Sequence, residues 1–369
     1  MVIGVLKEDE PESRVSLLPE HIASLIKSNI EVLVESDAGI RAFYSNAAYE
    51  KEGASISSKE EIFQKADIIL SIHDRNFMGE QGLNGKVLIG MYSSLTNKEN
   101  LQALAQRGAT VFSMEMLPRT TRAQSMDILS SQANIAGYKA VLLAAATLPK
   151  YFPMFMTAAG TIAPAKVLIL GAGVAGLQAI ATAKRLGAVV EVFDTRPAVK
   201  EEVQSLGAKF IDVPGAADAS QAGGYAVVQT EEFLQGQKAK IKESAIKSDV
   251  IITTAQIPGR PAPKLITTDM LDGMKAGSVI IDLAAATGGN TDKTVNNETA
   301  VYNNVSIIGD SSLQNHMSSD ASKLYGKNIL NFLKLITGAE GQLNLNFEDD
   351  LVKGSCVVHD NQIVHERLK

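Results

Sequence analysis

The chain lacks the residues and patterns that mark several classes of protein. Its one cysteine, Cys356, excludes internal disulfides and a cysteine-held metal cluster, and it suits a reducing compartment. No lysine and arginine cluster accompanies the net charge of −6, so we expect no nucleic-acid partner. The histidines are scattered without the spacing of ligands, so we predict no metal site.

Long hydrophobic runs are also missing. The longest stretch of small apolar residues, Ala140–Leu148, falls far short of the roughly 18–20 residues that cross a bilayer. The N-terminal sequence MVIGVLKEDE is acidic where a secretory signal is basic and then apolar. We therefore expect a cytoplasmic protein with no membrane span. Its 369 residues, 45% of them hydrophobic, are enough for two domains.

The most informative segment is a glycine-rich turn between a predicted strand and a predicted helix. The strand Val167–Leu170 leads into the sequence GAGVAG. Gly171 permits the sharp turn, Gly173 lets the backbone approach a pyrophosphate, and Gly176 lets the helix pack closely on the strand. The helix N-terminus then offers N–H groups to the phosphates. The predicted cofactor-binding residues of this turn are Gly171, Gly173, Val174, Ala175 and Gly176.

An acidic residue completes this dinucleotide-binding pattern. Asp194 ends the next predicted strand, 18 residues after Gly176 (194 − 176). Its carboxylate can accept hydrogen bonds from the ribose hydroxyls, which favours NAD(H) over NADP(H). Arg196 instead favours NADP(H), because an arginine at this position can accommodate the 2′-phosphate. The alternative is a glycine-rich turn that binds nothing.

Apolar runs typical of strands alternate with helix-like segments along the chain. The first set of predicted strands is Val2–Leu6, Ile30–Val34, Ile68–Ile72, Val87–Met91 and Thr110–Met114. The second set is Val167–Leu170, Val189–Phe193, Lys209–Ile211, Val250–Thr254, Val279–Leu283 and Val305–Ile308. This alternation predicts an α/β protein with two doubly wound parallel-sheet domains, the second a Rossmann dinucleotide-binding domain.

Two long predicted helices, Ser125–Thr147 and Asp320–Leu335, join these domains. We expect the N-terminal α/β domain to comprise residues 1–132 and 318–369, with the second helix closing it. The Rossmann domain then comprises residues 133–317.

Two further segments invite interpretation. The segment Gly215–Val227 is either an exposed loop or a mobile flap whose Tyr225 covers bound cofactor. The run Phe152–Met156 is rich in methionine and phenylalanine and is predicted to pack between the domains.

Polar residues are dense in the sequence PRTTRAQSMDILSS, which follows the last strand of the first set. Asp127 and Ser130 are three residues apart and share a helix face, while Arg119 and Gln124 offer further hydrogen-bonding groups. Together they suit a neutral amide such as the nicotinamide carboxamide. Helix capping, with Ser125 as N-cap, explains part of the pattern equally well.

Several motifs resemble one known family. RAQSMDILSSQANIAGY, MTAAGTIAPAKVLILGAGVAGLQAIATAKRLGA, AGGYA and VIIDLAAATGGN are similar to the NAD(H)-binding alpha component of proton-translocating NAD(P) transhydrogenases. The resemblance extends from KEDEPESRVSLLPE to GSCVVHDNQIVHE and so covers essentially the whole chain.

The resemblance implies hydride transfer between NAD(H) bound here and NADP(H) bound on a partner component. A membrane-spanning component would couple the transfer to proton movement. It also implies a homodimer, peripheral on the cytoplasmic face of the inner membrane through its partners. Arg119, Asp127 and Ser130 would hold the nicotinamide, Gln124 would reach the second nucleotide, and Tyr225 would belong to a mobile loop over NAD(H). The chain would be a split-gene subunit or a truncated piece.

Alanine dehydrogenases share the expected architecture and are the nearest competing family. Arg14 falls where that family binds the substrate carboxylate. However, Ser71–His73 contain no substrate-binding lysine, Tyr92–Ser93 contain no catalytic histidine, and Ala286 replaces a catalytic aspartate. Imine reduction needs a proton donor, whereas transfer between two nicotinamides needs only positioning. A stand-alone amino-acid dehydrogenase and a non-catalytic NAD-binding module are the alternatives.

Overall fold

A computed structural model describes residues 1–215, 230–338 and 340–369. They form two compact units, one of Met1–Gln132 with Asn315–Lys369 and one of Ala133–Gln314. Tyr225 lies outside the described residues, so its predicted role stays a prediction.

The strands, in chain order, are β1 (Val2–Val5), β2 (Glu31–Glu35), β3 (Ser55–Ser57), β4 (Ile68–Leu70), β5 (Val87–Gly90), β6 (Thr110–Ser113), β7 (Phe155–Thr157), β8 (Gly160–Ile162), β9 (Lys166–Leu170), β10 (Val189–Phe193), β11 (Lys209–Phe210), β12 (Val250–Thr253), β13 (Val279–Asp282), β14 (Thr299–Tyr302), β15 (Val305–Ile308), β16 (Cys356–His359) and β17 (Gln362–Ile363).

The α-helices are α1 (Pro19–Ile26), α2 (Asn46–Lys51), α3 (Lys59–Lys65), α4 (Lys98–Gln106), α5 (Ile128–Thr147), α6 (Val174–Arg185), α7 (Lys200–Ser205), α8 (Glu231–Ala245), α9 (Thr268–Leu271), α10 (Ser318–Ile336) and α11 (Asp350–Ser355). Short 3-10 helices cover Ile40–Ala42, Asp74–Phe77, Met114–Met116, Thr121–Met126, Pro197–Val199, Ala285–Thr287, Leu313–Met317 and Glu366–Leu368.

The sheet of the first unit has the strand order β17-β16-β6-β5-β4-β1-β2-β3. Strands β1 to β6 run parallel, and β16 and β17 add an antiparallel edge. Ile68 and Leu70 enter one hydrophobic cluster and Ile69 the other, because successive strand residues face opposite sides of the sheet. The strand order reverses between β1 and β4, which makes their carboxyl ends the switch point of this sheet.

The sheet of the second unit has the order β11-β10-β9-β12-β13-β15-β14. Its first six strands are parallel in Rossmann order, and the strand order reverses between β9 and β12. The antiparallel strand β14 follows at the edge. The α/β fold class is therefore confirmed, and each predicted strand is present with both ends within two residues of the prediction.

The sequence analysis missed the strands β3, β7, β8, β14, β16 and β17. Buried parallel strands have continuous apolar sequences, whereas the missed strands are short or mix polar with apolar residues. Strand β14 alternates exposed and half-buried positions, so its sequence TAVY carries a weak signal.

The run Phe152–Met156 divides into two environments. Phe152 is 5% exposed within a core cluster of the second unit, so the prediction that it packs between the domains is wrong for this residue. The residues that follow lead into the antiparallel hairpin of β7 and β8, where Met154 and Met156 are exposed. Burial in one core therefore explains only the first aromatic residue of the run.

No helix within the described ranges combines the length and the apolar composition that a membrane span requires.

A close helix contact gives a test of the packing in the second unit. A Cβ on Gly137 of α5 would lie 2.1 Å from the backbone oxygen of Ala175. We expect Gly137→Ala to lower the free energy of unfolding by about 1–3 kcal/mol through overpacking. Gly236→Ala in α8 is the matched control, because a Cβ there would lie 3.3 Å from a Val213 methyl group.

Urea unfolding followed by circular dichroism measures both variants. The control should change stability by no more than about 1 kcal/mol, since alanine is the better helix former. Equal stability of the two variants would contradict the close α5–α6 contact.

Candidate functional site

The glycine turn after β9 is shaped as dinucleotide binding requires. Gly171 has a φ of +107°, and a Cβ there would lie 2.3 Å from Thr254 Oγ1. A Cβ on Gly176 would lie 1.9 Å from the Gly171 carbonyl oxygen. A Cβ on Gly173 would meet no atom within 4 Å. Two of the glycines therefore allow close backbone packing, and the third borders open space.

This open space lies at the N-terminus of α6. Gly173 is the N-cap residue and contributes no side-chain hydrogen bond, and the first turn contains no acidic residue. The first N–H groups of a helix have no partner within the helix and carry its positive dipole end. Val174 and Ala175 supply these groups, so the turn fits the pyrophosphate of a dinucleotide.

Asp194 follows β10 and points back to this turn. Its Oδ2 accepts a 2.7 Å hydrogen bond from the Ala172 backbone N–H. Arg196 donates to Asp194 Oδ1 from Nε at 2.9 Å and to Oδ2 from Nη2 at 2.7 Å. The Arg196 backbone N–H also donates to Oδ1 at 2.8 Å, so four donors occupy the four lone-pair positions of this carboxylate. A ribose hydroxyl can therefore bind here only by displacing one of them. The guanidinium of Arg196 forms a forked ion pair with the acid.

The second predicted site begins α5. Ser130 donates to Asp127 twice, from its backbone N–H to Oδ1 at 2.9 Å and from its hydroxyl to Oδ2 at 2.6 Å. Asp127 therefore caps α5, and Ser125 does not, because Ser125 lies in the preceding 3-10 helix. The Ser125 carbonyl accepts hydrogen bonds from Asn328 and Asn331. Capping and ligand binding remain compatible for Asp127.

The capping geometry leaves acceptors available. The Ser130 hydroxyl donates its proton to Asp127, so its oxygen can accept a hydrogen bond from an amide group. Arg119 and Gln124 are both exposed on the residues just before α5. The structure thus pairs Asp127 with Ser130 directly and leaves Arg119 and Gln124 at the surface of the same segment.

A buried carboxyl at the switch point of the first unit was missed by the sequence analysis. Glu8, after β1, is 3% exposed and accepts hydrogen bonds from the Ile72 N–H at 2.6 Å and the Ser71 hydroxyl at 2.9 Å. Burial raises the pKa of Glu8 to about 7, although His73 and these donors act in the opposite direction. The position of an acid just after a buried strand was the available signal.

A buried ion pair lies beside Glu8. The Arg14 guanidinium donates to both carboxylate oxygens of Glu12, at 2.8 and 2.6 Å, and to Gln132 Oε1 at 2.9 Å. His73 Nε2 lies 2.9 Å from Glu12 Oε2. Burial opposes ionisation of Glu12, but hydrogen bonds from Arg14 and His73 hold its pKa well below the usual range. We call Glu8, Glu12, Arg14, His73 and Gln132 the switch-point cluster.

Across residues 1–215, 230–338 and 340–369, no group of three or more histidine, cysteine, aspartate or glutamate side chains is arranged to hold a metal ion. Cys356 is buried, and burial raises the pKa of its thiol to about 12.

Two doubly wound units, one with a dinucleotide-binding turn, define a two-domain nucleotide-binding α/β protein. The family profile described as alanine dehydrogenase/PNT, N-terminal domain, matches residues 4–136, and the corresponding C-terminal domain profile matches residues 140–366. The chain therefore belongs to the alanine dehydrogenase/PNT family.

The similar proteins narrow this assignment. An NAD(P) transhydrogenase alpha subunit of Rhodospirillum rubrum is 45% identical over 100% of this chain and 99% of its own length. NAD(P) transhydrogenase subunit alpha of Haemophilus influenzae is 43% identical over 98% of this chain and 71% of its own length. A transhydrogenase structure from Sinorhizobium meliloti matches with a TM-score of 0.86 and 40% identity, covering 99% of both chains.

Alanine dehydrogenases are more distant. The relative from Staphylococcus haemolyticus is 27% identical over 82% of this chain and 77% of its own length. An L-alanine dehydrogenase structure has a TM-score of 0.80 at 22% identity, covers 100% of this chain and 98% of its own, and shows the shared fold. The resemblance to transhydrogenase alpha subunits is thus confirmed.

Glu8 gives a prediction about pH. We expect its carboxyl to titrate with a midpoint of about 7, compared with 4.5 for an ordinary glutamate. Because the folded state keeps a proton that the unfolded chain releases, this group's contribution to the free energy of unfolding should fall as pH rises from 4.5 to 7. Carbon-13 NMR of protein labelled at the glutamate carboxyl measures the midpoint.

The resonance that disappears in a Glu8→Gln variant identifies the group. Glu61→Gln is the control, because Glu61 is exposed and has a lowered pKa that its hydrogen bond to Lys65 explains. A Glu8 midpoint no higher than that of Glu61 would contradict the effect of burial.

Proposed function

We propose that this chain is the NAD(H)-binding subunit of a proton-translocating NAD(P) transhydrogenase. In this proposal it exchanges a hydride with NADP(H) held by a partner component. The observation that carries the proposal is the open space beside Gly173, at the uncapped N-terminus of α6. The full-length similarity to transhydrogenase alpha subunits supports the choice of reaction.

Each residue of the turn has its own proposed role. Gly171 and Gly176 bring α6 against β9, and Gly173 leaves room for the pyrophosphate. The N–H groups of Val174 and Ala175 bind phosphate oxygens. Asp194 accepts the ribose hydroxyls in exchange for a hydrogen bond from the Arg196 side chain, which orients that carboxylate.

The residues before and within the first turn of α5 hold the nicotinamide in this proposal. Ser130 accepts a hydrogen bond from the carboxamide while Asp127 fixes the direction of its hydroxyl. Arg119 adds a donor, and Gln124 is exposed where it can reach the second nucleotide. The bound nicotinamide supplies the hydride chemistry, and the chain supplies orientation.

The distribution of side chains favours this reaction over imine reduction. Ser71, which falls where a substrate-binding lysine is expected, donates its hydroxyl proton to Glu8. Arg14, at the position of the carboxylate-binding arginine, already holds Glu12 in a forked ion pair. A non-catalytic NAD-binding module would share the turn but would transfer no hydride.

The proposed partners are an NADP(H)-binding component and a membrane-spanning component, which would keep the chain on the cytoplasmic face of the inner membrane. We also propose a homodimer. The exposed apolar side chains of Met154, Phe155, Met156 and Ile162 support it, since such patches mark interaction surfaces. Light scattering should give the mass of a dimer, and a monomer at high concentration would contradict it.

Asp194→Ala tests the ribose assignment. We expect it to weaken NADH binding by about 1–3 kcal/mol, the scale of a lost hydrogen bond to a charged group. Titration calorimetry measures the affinity. Asp212→Ala is the control, because Asp212 is exposed and paired with Lys200. Unchanged affinity in Asp194→Ala would contradict the assignment.

Gln124→Asn tests the proposed reaction. The purified chain is mixed with an NADP(H)-binding component, and hydride transfer from NADPH to an NAD analogue is followed by absorbance. We expect the variant to keep its NADH affinity but to transfer hydride about 10-fold more slowly, because its amide is one methylene shorter.

Gln106→Asn, at an exposed position that ends α4, is the control and should behave as the wild type. Loss of NADH binding in Gln124→Asn would contradict the role of Gln124. Absence of transfer by the wild type would contradict the proposed function.

A further inference from the structure

Arg14 occupies the centre of the switch-point cluster. The residue is 2% exposed, and its Nε and Nη2 donate to the two oxygens of Glu12. An arginine binds a carboxylate ligand with this same forked geometry. In this chain an internal carboxylate takes that place, two residues away in sequence.

Glu12 is itself held firmly. Its Oε2 lies 2.9 Å from His73 Nε2, and its Oε1 also accepts a 2.9 Å hydrogen bond from the Arg14 backbone N–H. Arg14 and His73 keep its pKa low against the effect of burial, so it stays ionised across the physiological range. The ion pair is therefore a fixed feature of the first unit.

Gln132 connects this ion pair to α5. It is 8% exposed and lies two residues after Ser130 on the same helix. Its Oε1 accepts from Arg14 Nη1 at 2.9 Å, and its Nε2 donates to the Ala321 carbonyl of α10 at 3.1 Å. One buried amide thus ties the beginning of α5 to the charge cluster on one side and to α10 on the other.

We propose that Arg14 is a positioning residue for hydride transfer, which acts through Gln132 on the first turn of α5 and so on Asp127 and Ser130. This inference rests on the proposed function, from which it takes the role of those two residues. Hydride transfer depends steeply on the alignment of the reacting rings. A displacement of about 1 Å can cost roughly 100-fold in rate.

The test compares variants that break the link at each end. Gln132→Leu removes the amide, and Arg14→Lys keeps the charge beside Glu12 but loses the forked geometry. We expect each to slow single-turnover hydride transfer at saturating nucleotides by about 10-fold or more, with NADH affinity nearly unchanged. Ser71→Ala is the matched control, because Ser71 contacts Glu8 in the same cluster but not α5.

The double variant Arg14→Lys/Gln132→Leu adds a second criterion. If the two residues act through one contact, it should be no slower than the slower single variant. Rate losses that multiply would overturn the proposal. Wild-type rates in Gln132→Leu would also overturn it.

Two measurements on the chain alone separate this inference from the proposed function. Amide exchange of residues 128–132 should be faster in Gln132→Leu and Arg14→Lys than in Ser71→Ala, and equal exchange in all three would overturn the link. Pyruvate is titrated into the wild type and Arg14→Lys by calorimetry. Binding that depends on Arg14 would make it a ligand-binding residue and overturn the proposal. A wild type that transfers no hydride with its partner would contradict the proposed function itself.

Discussion

The contact between the first turn of α6 and the end of β9 is the constraint on which the nucleotide site depends. Gly176 lies so close to the Gly171 carbonyl that a Cβ would approach it to 1.9 Å. This contact fixes the direction of α6, whose N-cap residue Gly173 borders open space. Asp194 reinforces the geometry by accepting the Ala172 N–H from across the turn. The proposed contacts with the phosphates and with the ribose both depend on this packing of α6 against β9.

The two units use the same topology for different purposes. Among the parallel strands of each sheet the order reverses once, and polar groups gather at the carboxyl ends beside that point. The second unit leaves this edge open at Gly173, whereas the first fills it with Glu8, Glu12 and Arg14. Such a division suits a reaction in which the cofactors carry the chemistry and the protein holds them in place.

Local patterns made much of the fold and the nucleotide turn predictable. Each buried parallel strand is a short apolar run, and the three glycines and Asp194 lie within about 30 neighbouring residues. The sequence analysis named Ser125 as the cap of α5, whereas Asp127 caps this helix. Ser125 lies in the preceding 3-10 helix, and its carbonyl accepts hydrogen bonds from Asn328 and Asn331, about 200 residues away in sequence. No local pattern indicates such distant contacts. The partners of Arg14 depend on long-range contacts in the same way: Gln132 is 118 residues distant.

Binding of NADH and NADPH to the purified chain, measured by titration calorimetry, tests the central claim most directly. Turnover of pyruvate and ammonia is assayed on the same sample. The account predicts tight NADH binding, weak NADPH binding and no turnover. Steady turnover, or NADPH binding as tight as that of NADH, would contradict it.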